Sequence, residues 1–339
     1  MSASLSKLLN PHTYQTGLWI LTDDLQARNY WKDIFSSNLA NIANLINDPL
    51  KREMFVDKMT EIIEAMSVDV YKTVHEVTVE RESLLNRIGV PDPYKNIKDQ
   101  ENRKALACLQ PHLEYLDSLS DQEQTFCICL SAVVKGNQFD LGSKVTADLW
   151  RKKQLNFNID FKVNPSYKKY FSYFQQLKGC NVTVLVDNAG FDYLIGSVSF
   201  IRFLLNSGFS VTVAANNSPA LNDVTYQEVI ELNKKLDNID QIWKKAQQDQ
   251  RLKFISSGCK TPGINLKKIS TQLNQAVNRS DLLILIGQGR AIETTLNAVL
   301  DINVFRIAKV KDYMVASYIE QPQLSDFICW TKPGEEFID

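Results

Sequence analysis

A chain of 339 residues with 38 Lys and Arg against 39 Asp and Glu is long enough for one large domain or two, and it lacks the basic excess that a nucleic-acid binder would carry. Its 44% apolar content is ordinary for a globular protein, and no apolar run approaches bilayer-spanning length, which argues against a membrane partner. Six scattered cysteines without a Cys-x-x-Cys pair argue against a zinc ribbon; with an N-terminus that lacks a signal-peptide pattern, they point to reduced thiols in the cytoplasm.

In chain order, residues 1–125 read as helical. Segments 31–46 and 51–77 repeat apolar residues at three- and four-residue spacing, with Asp48-Pro49 between them. Val90-Pro91-Asp92-Pro93 reads as a turn or extended link. A helix is expected over 101–109 with Pro111 as a break or restart, and another over 122–134. Lys135-Gly136-Asn137 interrupts or kinks that helix, and helix resumes over 139–149. The pattern then switches to strands at 182–186, 211–215, 252–255, 282–286, 304–310 and 327–330. Between them lie helices at 193–205, 225–234, 239–247, 270–278 and 291–300. Such alternation implies a parallel sheet with helices on both faces. The expected fold is α/β: a three-layer, doubly wound, mainly parallel sheet over 126–339, preceded by an N-terminal all-helical domain over 1–125.

Two strand ends carry the chemistry. Val184-Leu185-Val186 runs into Asp187-Asn188-Ala189-Gly190-Phe191-Asp192, and Val213-Ala214-Ala215 runs into Asn216-Asn217-Ser218-Pro219-Ala220-Leu221-Asn222-Asp223. A buried parallel strand reads this way when it delivers polar groups to the carboxyl edge of a sheet. Carboxylate and amide oxygens without His or Cys suit a hard cation such as Mg or Mn. Asp187 and Asn188 alone would pass for turn residues; Asp223 in the equivalent place after the next strand favours a metal. Asp192 has two compatible roles, cap of the following helix, or base or nucleophile beside a reacting phosphorus. Asn216 and Ser218 flank the second edge, where Pro219 stiffens a loop able to hold phosphate oxygens. In Gly287-Gln288-Gly289-Arg290, Gly289 lets the backbone approach an anion and Arg290 can clamp a phosphate. Ile292 breaks any dinucleotide fingerprint there. Asn137 and Asp140 would share a helix face and could reach the substrate. Lys311 alone would pass for a solvated lysine at a strand end.

Four motifs in one order resemble the metal-dependent damage-control phosphatases, including the plant stand-alone enzymes and the phosphatase domain fused to a vertebrate pantothenate kinase paralogue. They are the D-N-A-G-F-D stretch from Asp187, the N-x-S-P-A-L-N-D-V-T stretch from Asn216, Pro91-Asp92-Pro93-Tyr94-Lys95 with Lys98 and Glu101-Asn102, and Gly136-Asn137-Gln138-Phe139-Asp140-Leu141-Gly142. The resemblance runs from about residue 90 to near Lys311 and is loose before that. It implies a divalent metal (Mn, Mg, Co or Ni) on Asp187, Asn188 and Asp223, with Asp187 and Asp192 in the catalytic roles. It implies phosphate or substrate contacts from Asn137, Asp140, Asn216, Ser218, Gly289, Arg290 and Lys311. One departure stands out: Ile286 replaces a charged family residue before the glycine loop. The implied function is hydrolysis of a small phosphometabolite, most nearly 4'-phosphopantetheine or damaged forms of it. A sugar phosphate, or a pseudophosphatase that only binds, is the alternative. A haloacid-dehalogenase mechanism would need Asp-x-Asp where Asp187-Asn188-Ala189 stands, and a methyltransferase would need a glycine-rich loop after the first strand.

Overall fold

The structure, a computed structural model, describes residues 2–66, 70–137 and 164–337. The helix expected over 139–149, and Asp140 with it, lie outside these residues.

A short strand β1 (Ser2–Ala3) is followed by α1 (Leu25–Ala43), α2 (Pro49–Ala65), α3 (Val74–Arg87), α4 (Lys95–Asp117) and α5 (Gln122–Asn137). After α6 (Lys168–Gln176) come β2 (Asn181–Leu185), α7 (Val198–Asn206), β3 (Ser210–Ala215), α8 (Tyr226–Ile239), α9 (Gln241–Gln248) and β4 (Leu252–Ser256). The chain continues through β5 (Ile269–Ser270), α10 (Thr271–Asn278), β6 (Leu282–Ile286), β7 (Asn303–Lys309), α11 (Tyr313–Tyr318) and β8 (Asp326–Thr331). Every strand expected from the sequence is found within a residue or so of its place; β1, β5, α6 and α11 were not anticipated.

Six strands form one sheet in the order β4-β3-β2-β6-β7-β8, parallel except for β8. Strand order therefore reverses direction between β2 and β6. Crevices at such a switch point, beyond the carboxyl ends of the strands, are where open α/β sheets bind ligands. The strands are apolar on both faces because both are covered. Val182, Val184, Ile284 and Ile286 pack in one cluster with α5, α7 and α8, whereas Leu185, Leu283 and Leu285 pack in another with residues of α1 to α3. Ala105, Leu109, Leu113 and Leu116 of α4 belong to the first of these clusters, whereas helices α1 to α3 form the outer layer on the other face. A β1–β5 pairing and the Leu5 N–H to Leu266 carbonyl bond tie the first residues to the same side.

Four helical expectations change. Lys135, Gly136 and Asn137 continue α5 instead of interrupting it. The span 51–77 is two helices, because Thr73 caps α3 through Oγ1 to Glu76 N–H while Glu76 Oε2 accepts Lys72 N–H at 2.7 Å. Pro111 lies inside α4 and does not end it; Ala105 and Leu109 before it, and His112, Leu113 and Leu116 after it, are all buried and hold both halves in line. The helix expected over 291–300 is a single π-helical turn, Gly289–Glu293, followed by turns. Thr294 and Thr295 hydroxyls donate back to the Gly289 and Arg290 carbonyls at 2.6 Å each, which diverts acceptors a continuing helix would use.

Candidate functional site

At the switch point, Asp187 follows β2 and the Gly287-to-Arg290 loop follows β6, its neighbour in the sheet. Gly287 has φ +94°, and a Cβ there would lie 2.1 Å from Asp187 Cγ. Glycine is required at this place by the carboxylate beside it. The loop after β3 folds back on the one after β2: Val224 N–H donates to the Asp187 carbonyl and Ala189 N–H to the Asn222 carbonyl, both at 2.9 Å. This brings Asp223 to Asp187.

Arg290 joins them. Its guanidinium donates from Nη1 to Asp187 Oδ1, and from Nη2 to Asp223 Oδ2 at 2.6 Å and to Asn216 Oδ1 at 2.9 Å. Arg290 is 2% exposed. Burial disfavours its charge, but Asp223 and then Asp187 outweigh burial and hold the guanidinium protonated. Asn216 Nδ2 also donates to Asp223 Oδ2 at 2.9 Å.

A second group sits one turn away. Asn137, the last residue of α5, donates from Nδ2 to Asp187 Oδ2 at 2.8 Å and to Asp192 Oδ2 at 2.9 Å. Asn188 Nδ2 donates to the same two oxygens at 2.9 Å each. Asn137 Oδ1 in turn accepts Lys309 N–H at 3.1 Å, which anchors it to β7. Gly136 allows this approach, since a Cβ on it would lie 2.8 Å from Asp192 Cα. Asp192 opens a π-helical turn, Asp192–Ser197, and makes no capping bond, so the capping role expected for it is absent. Its Oδ1 is buried with no hydrogen-bond partner among the described residues. Burial first, and then the Asp187 charge, raise its pKa well above the usual carboxylate range. Asp223 caps nothing either: Thr225 is the N-cap of α8, in a capping box with Glu228.

Among the described residues no three His, Cys, Asp or Glu side chains form a metal cluster as they stand. The donors are nevertheless all oxygen, and Asp187 and Asp223 lie close enough to share one cationic group. Asp192 adds a buried oxygen without a partner. Such a set fits a hard divalent cation.

Lys311 lies two residues beyond β7, is 2% exposed rather than solvated, and its charge acts on Asp192. Not every expected residue joins the carboxylates. Ser218 is only half-buried, and its hydroxyl accepts from Asn217 Nδ2 at 3.2 Å. Ile286 belongs wholly to the apolar cluster under α5 and α7 and does not line the pocket.

A cavity of about 180 Å³ opens on this floor. Asp187, Asp223, Gly289 and Lys311 line its base; Trp19, Tyr30, Trp31, Phe35, His75 and Arg81 line its wall. The wall comes from the segment before α1, from α1 and from α3, which sequence reasoning left unassigned. Only aromatic spacing marked it, and that also fits a helix core. Gln288, inside the glycine loop, was overlooked as well: its Oε1 accepts Lys311 N–H at 2.6 Å and Asp312 N–H at 3.2 Å, and its Nε2 donates to Glu293 at 2.7 Å. Tyr30 OH donates to Asp312 Oδ2 at 2.8 Å, so the aromatic wall is joined to the residue after Lys311.

Residues 23–326 match the damage-control phosphatase ARMT1-like domain. The chain belongs to this family of phosphatases. A damage-control phosphatase of Arabidopsis thaliana is 30% identical over 70% of this chain and 67% of its own length. The mouse 4'-phosphopantetheine phosphatase is 27% identical over 92% of this chain but 46% of its own length, so the chain spans less than half of that relative. A crystal structure of a DUF89 family protein from Pyrococcus horikoshii superposes with TM-score 0.59 at 18% identity, covering 87% of this chain and 95% of that one; it shares the fold. The domain match takes in the aromatic wall of α1 as well as the carboxylates.

Proposed function

We propose that the protein hydrolyses small phosphomonoesters at the Asp187–Asp223 floor with the help of a divalent cation. One observation carries this reading: two carboxylates from adjacent strand ends bracket one buried cationic group at the base of a pocket. Asp187, Asn188 and Asp223 would hold the metal, which when bound supplies Lewis acidity toward the phosphoryl oxygens. Asp192 Oδ1 is the atom that takes the proton of an attacking water as the P–O ester bond breaks, and that proton then passes to the departing alkoxide, which leaves as the alcohol. Asn137 and Asn188 hold the other Asp192 oxygen and so fix its aim. Arg290 and Lys311 neutralise the equatorial oxygens. Gln288 holds the backbone at Lys311.

The substrate we favour is 4'-phosphopantetheine or a damaged form of it, in keeping with the mouse relative's name and the aromatic wall. A sugar phosphate is the alternative. Ile286 lends nothing to a pseudophosphatase, since its side chain lies in the core. Six unpaired thiols suit a reducing compartment such as the cytoplasm.

The test is release of phosphate from p-nitrophenyl phosphate and from a panel of metabolite phosphoesters with Mn, Mg, Co or Ni. Asp187→Asn and Asp223→Asn are expected to lose at least about 100-fold in turnover, roughly 2.7 kcal/mol of transition-state stabilisation, with the fold intact. Full activity after chelation, with no metal found by elemental analysis, would overturn the proposal.

A further inference from the structure

The turn before α4 and the first turns of that helix play no part in the chemistry above. Lys98 is 1% exposed; its Nζ lies 2.7 Å from Asp92 Oδ2 and 2.9 Å from Glu228 Oε1. Glu228 belongs to the first turn of α8, and its Oε2 accepts Thr225 N–H at 2.9 Å, two residues after Asp223. Four residues along α4, on the same face, Asn102 Oδ1 accepts Gly190 N–H at 2.8 Å. Gly190 stands between Asn188 and Asp192 with φ +74°, and a Cβ there would lie 2.7 Å from Glu101 Cβ.

One helix therefore grips both loops that carry the carboxylates. The backbone bonds between the loops set them side by side, but Gly190 bonds to α4 directly and Thr225 is linked to it through Glu228 and Lys98. A buried ammonium between two carboxylates is seldom more stabilising than apolar packing, so stability alone does not account for Lys98.

We propose that Lys98 and Asn102 are positioning residues, and that α4 is a strut holding Asp192 and Asp223 at the separation the reaction needs. The inference rests on the phosphatase reading. A displacement of about 1 Å at a reacting group can cost on the order of 100-fold in rate.

The experiment compares Asn102→Ala, Asn102→Asp, Lys98→Met and, as a control inside the same helix, Leu109→Ala. Two quantities are read: kcat and KM on p-nitrophenyl phosphate with Mn²⁺, and the Mn²⁺ concentration giving half of the maximal rise in Tm. Asn102→Ala and Lys98→Met are expected to lower kcat by roughly 10- to 100-fold with KM within about threefold, and to raise the Mn²⁺ midpoint. Asn102→Asp keeps the acceptor oxygen and recovers most of the loss. Leu109→Ala lowers Tm at least as far yet leaves kcat and the midpoint near wild type. If Lys98→Met does not fold, Asn102 decides. Wild-type kcat and midpoint in Asn102→Ala would overturn the strut, as would a kcat that falls with Tm in Leu109→Ala. A wild type that cleaves no phosphoester would overturn the phosphatase reading instead, and the Mn²⁺ midpoint would still decide the strut.

Discussion

Arg290 donates to Asp187 and Asp223 from a position almost closed to water. Taking one partner from a buried ion pair leaves an uncompensated charge, a loss of about 3–5 kcal/mol. Arg290→Met is expected to lose stability of that order in chelator, and excess Mn²⁺ is expected to return part of it; urea melts with and without the cation measure both. Equal stability of variant and wild type in chelator would mean that the carboxylates do not depend on the guanidinium. Ile286 makes the opposite point. Its family counterpart is charged, which from the sequence alone reads as a change of selectivity, yet the side chain faces the cluster with Val184 and Ile284. Strand alternation explains this: Ile286 and Asp187 lie on opposite faces of neighbouring strands. Ile286→Glu is therefore expected to cost several kcal/mol or prevent folding, whereas Ile286→Val costs about 1 kcal/mol. Urea denaturation of the two variants separates a core position from a site position.

Elements with one dominant signal were legible. The central strands were readable because they are short apolar runs bounded by turn residues, as in Leu282–Ile286. Asp187 was readable because it falls just past such a run, and Asp223 because it lies in the polar loop after the next strand. Helix ends were less so. Pro111 signals a break, but packing of Leu109 and Leu113 overrides it; the turn after Gly289 looks helical until the threonine hydroxyls take its carbonyls. The Asp192 bond to Asn137 joins residues 55 positions apart and leaves no local trace. Helices α3 and α4 also carry an acid sensitivity. Burial first, and then Lys268 for His75 and Arg202 for His112, push both imidazoles down to about 4. They are neutral in the fold but gain a proton near pH 6.5 once unfolded. Their stabilisation is thus complete above about pH 6.5 and is lost as pH falls from there toward about 4. For the buried His112 the loss is at most roughly 3 kcal/mol. Replacing it by leucine is expected to flatten the fall in urea midpoint between pH 6.5 and 4; an unchanged slope would exonerate His112.

Across the whole molecule the sheet has two unlike coverings. One face is closed by α4 to α9, and the other by α1 to α3 with α10 and α11. A fragment beginning at residue 126 would expose Leu185, Leu283, Leu285 and Val304 of the second face. It is expected to be aggregated or protease-sensitive, whereas a well-folded fragment by circular dichroism and proteolysis would show that the helical layer is dispensable to the sheet. The reversal of strand order between β2 and β6 has a consequence in time. β2 finds β3 across one short helix, and β6 finds β7 nearby, so each half of the sheet can form from local segments. The seam between them joins residues about a hundred positions apart, as in the Asn181 N–H bond to Asp281. Closing so long a loop is entropically unfavourable and comes late. Asp187 lies at the end of one side of that seam and Arg290 just past the other. On dilution from denaturant, helical signal is therefore expected to return first, and hydrolysis only when the two halves have met.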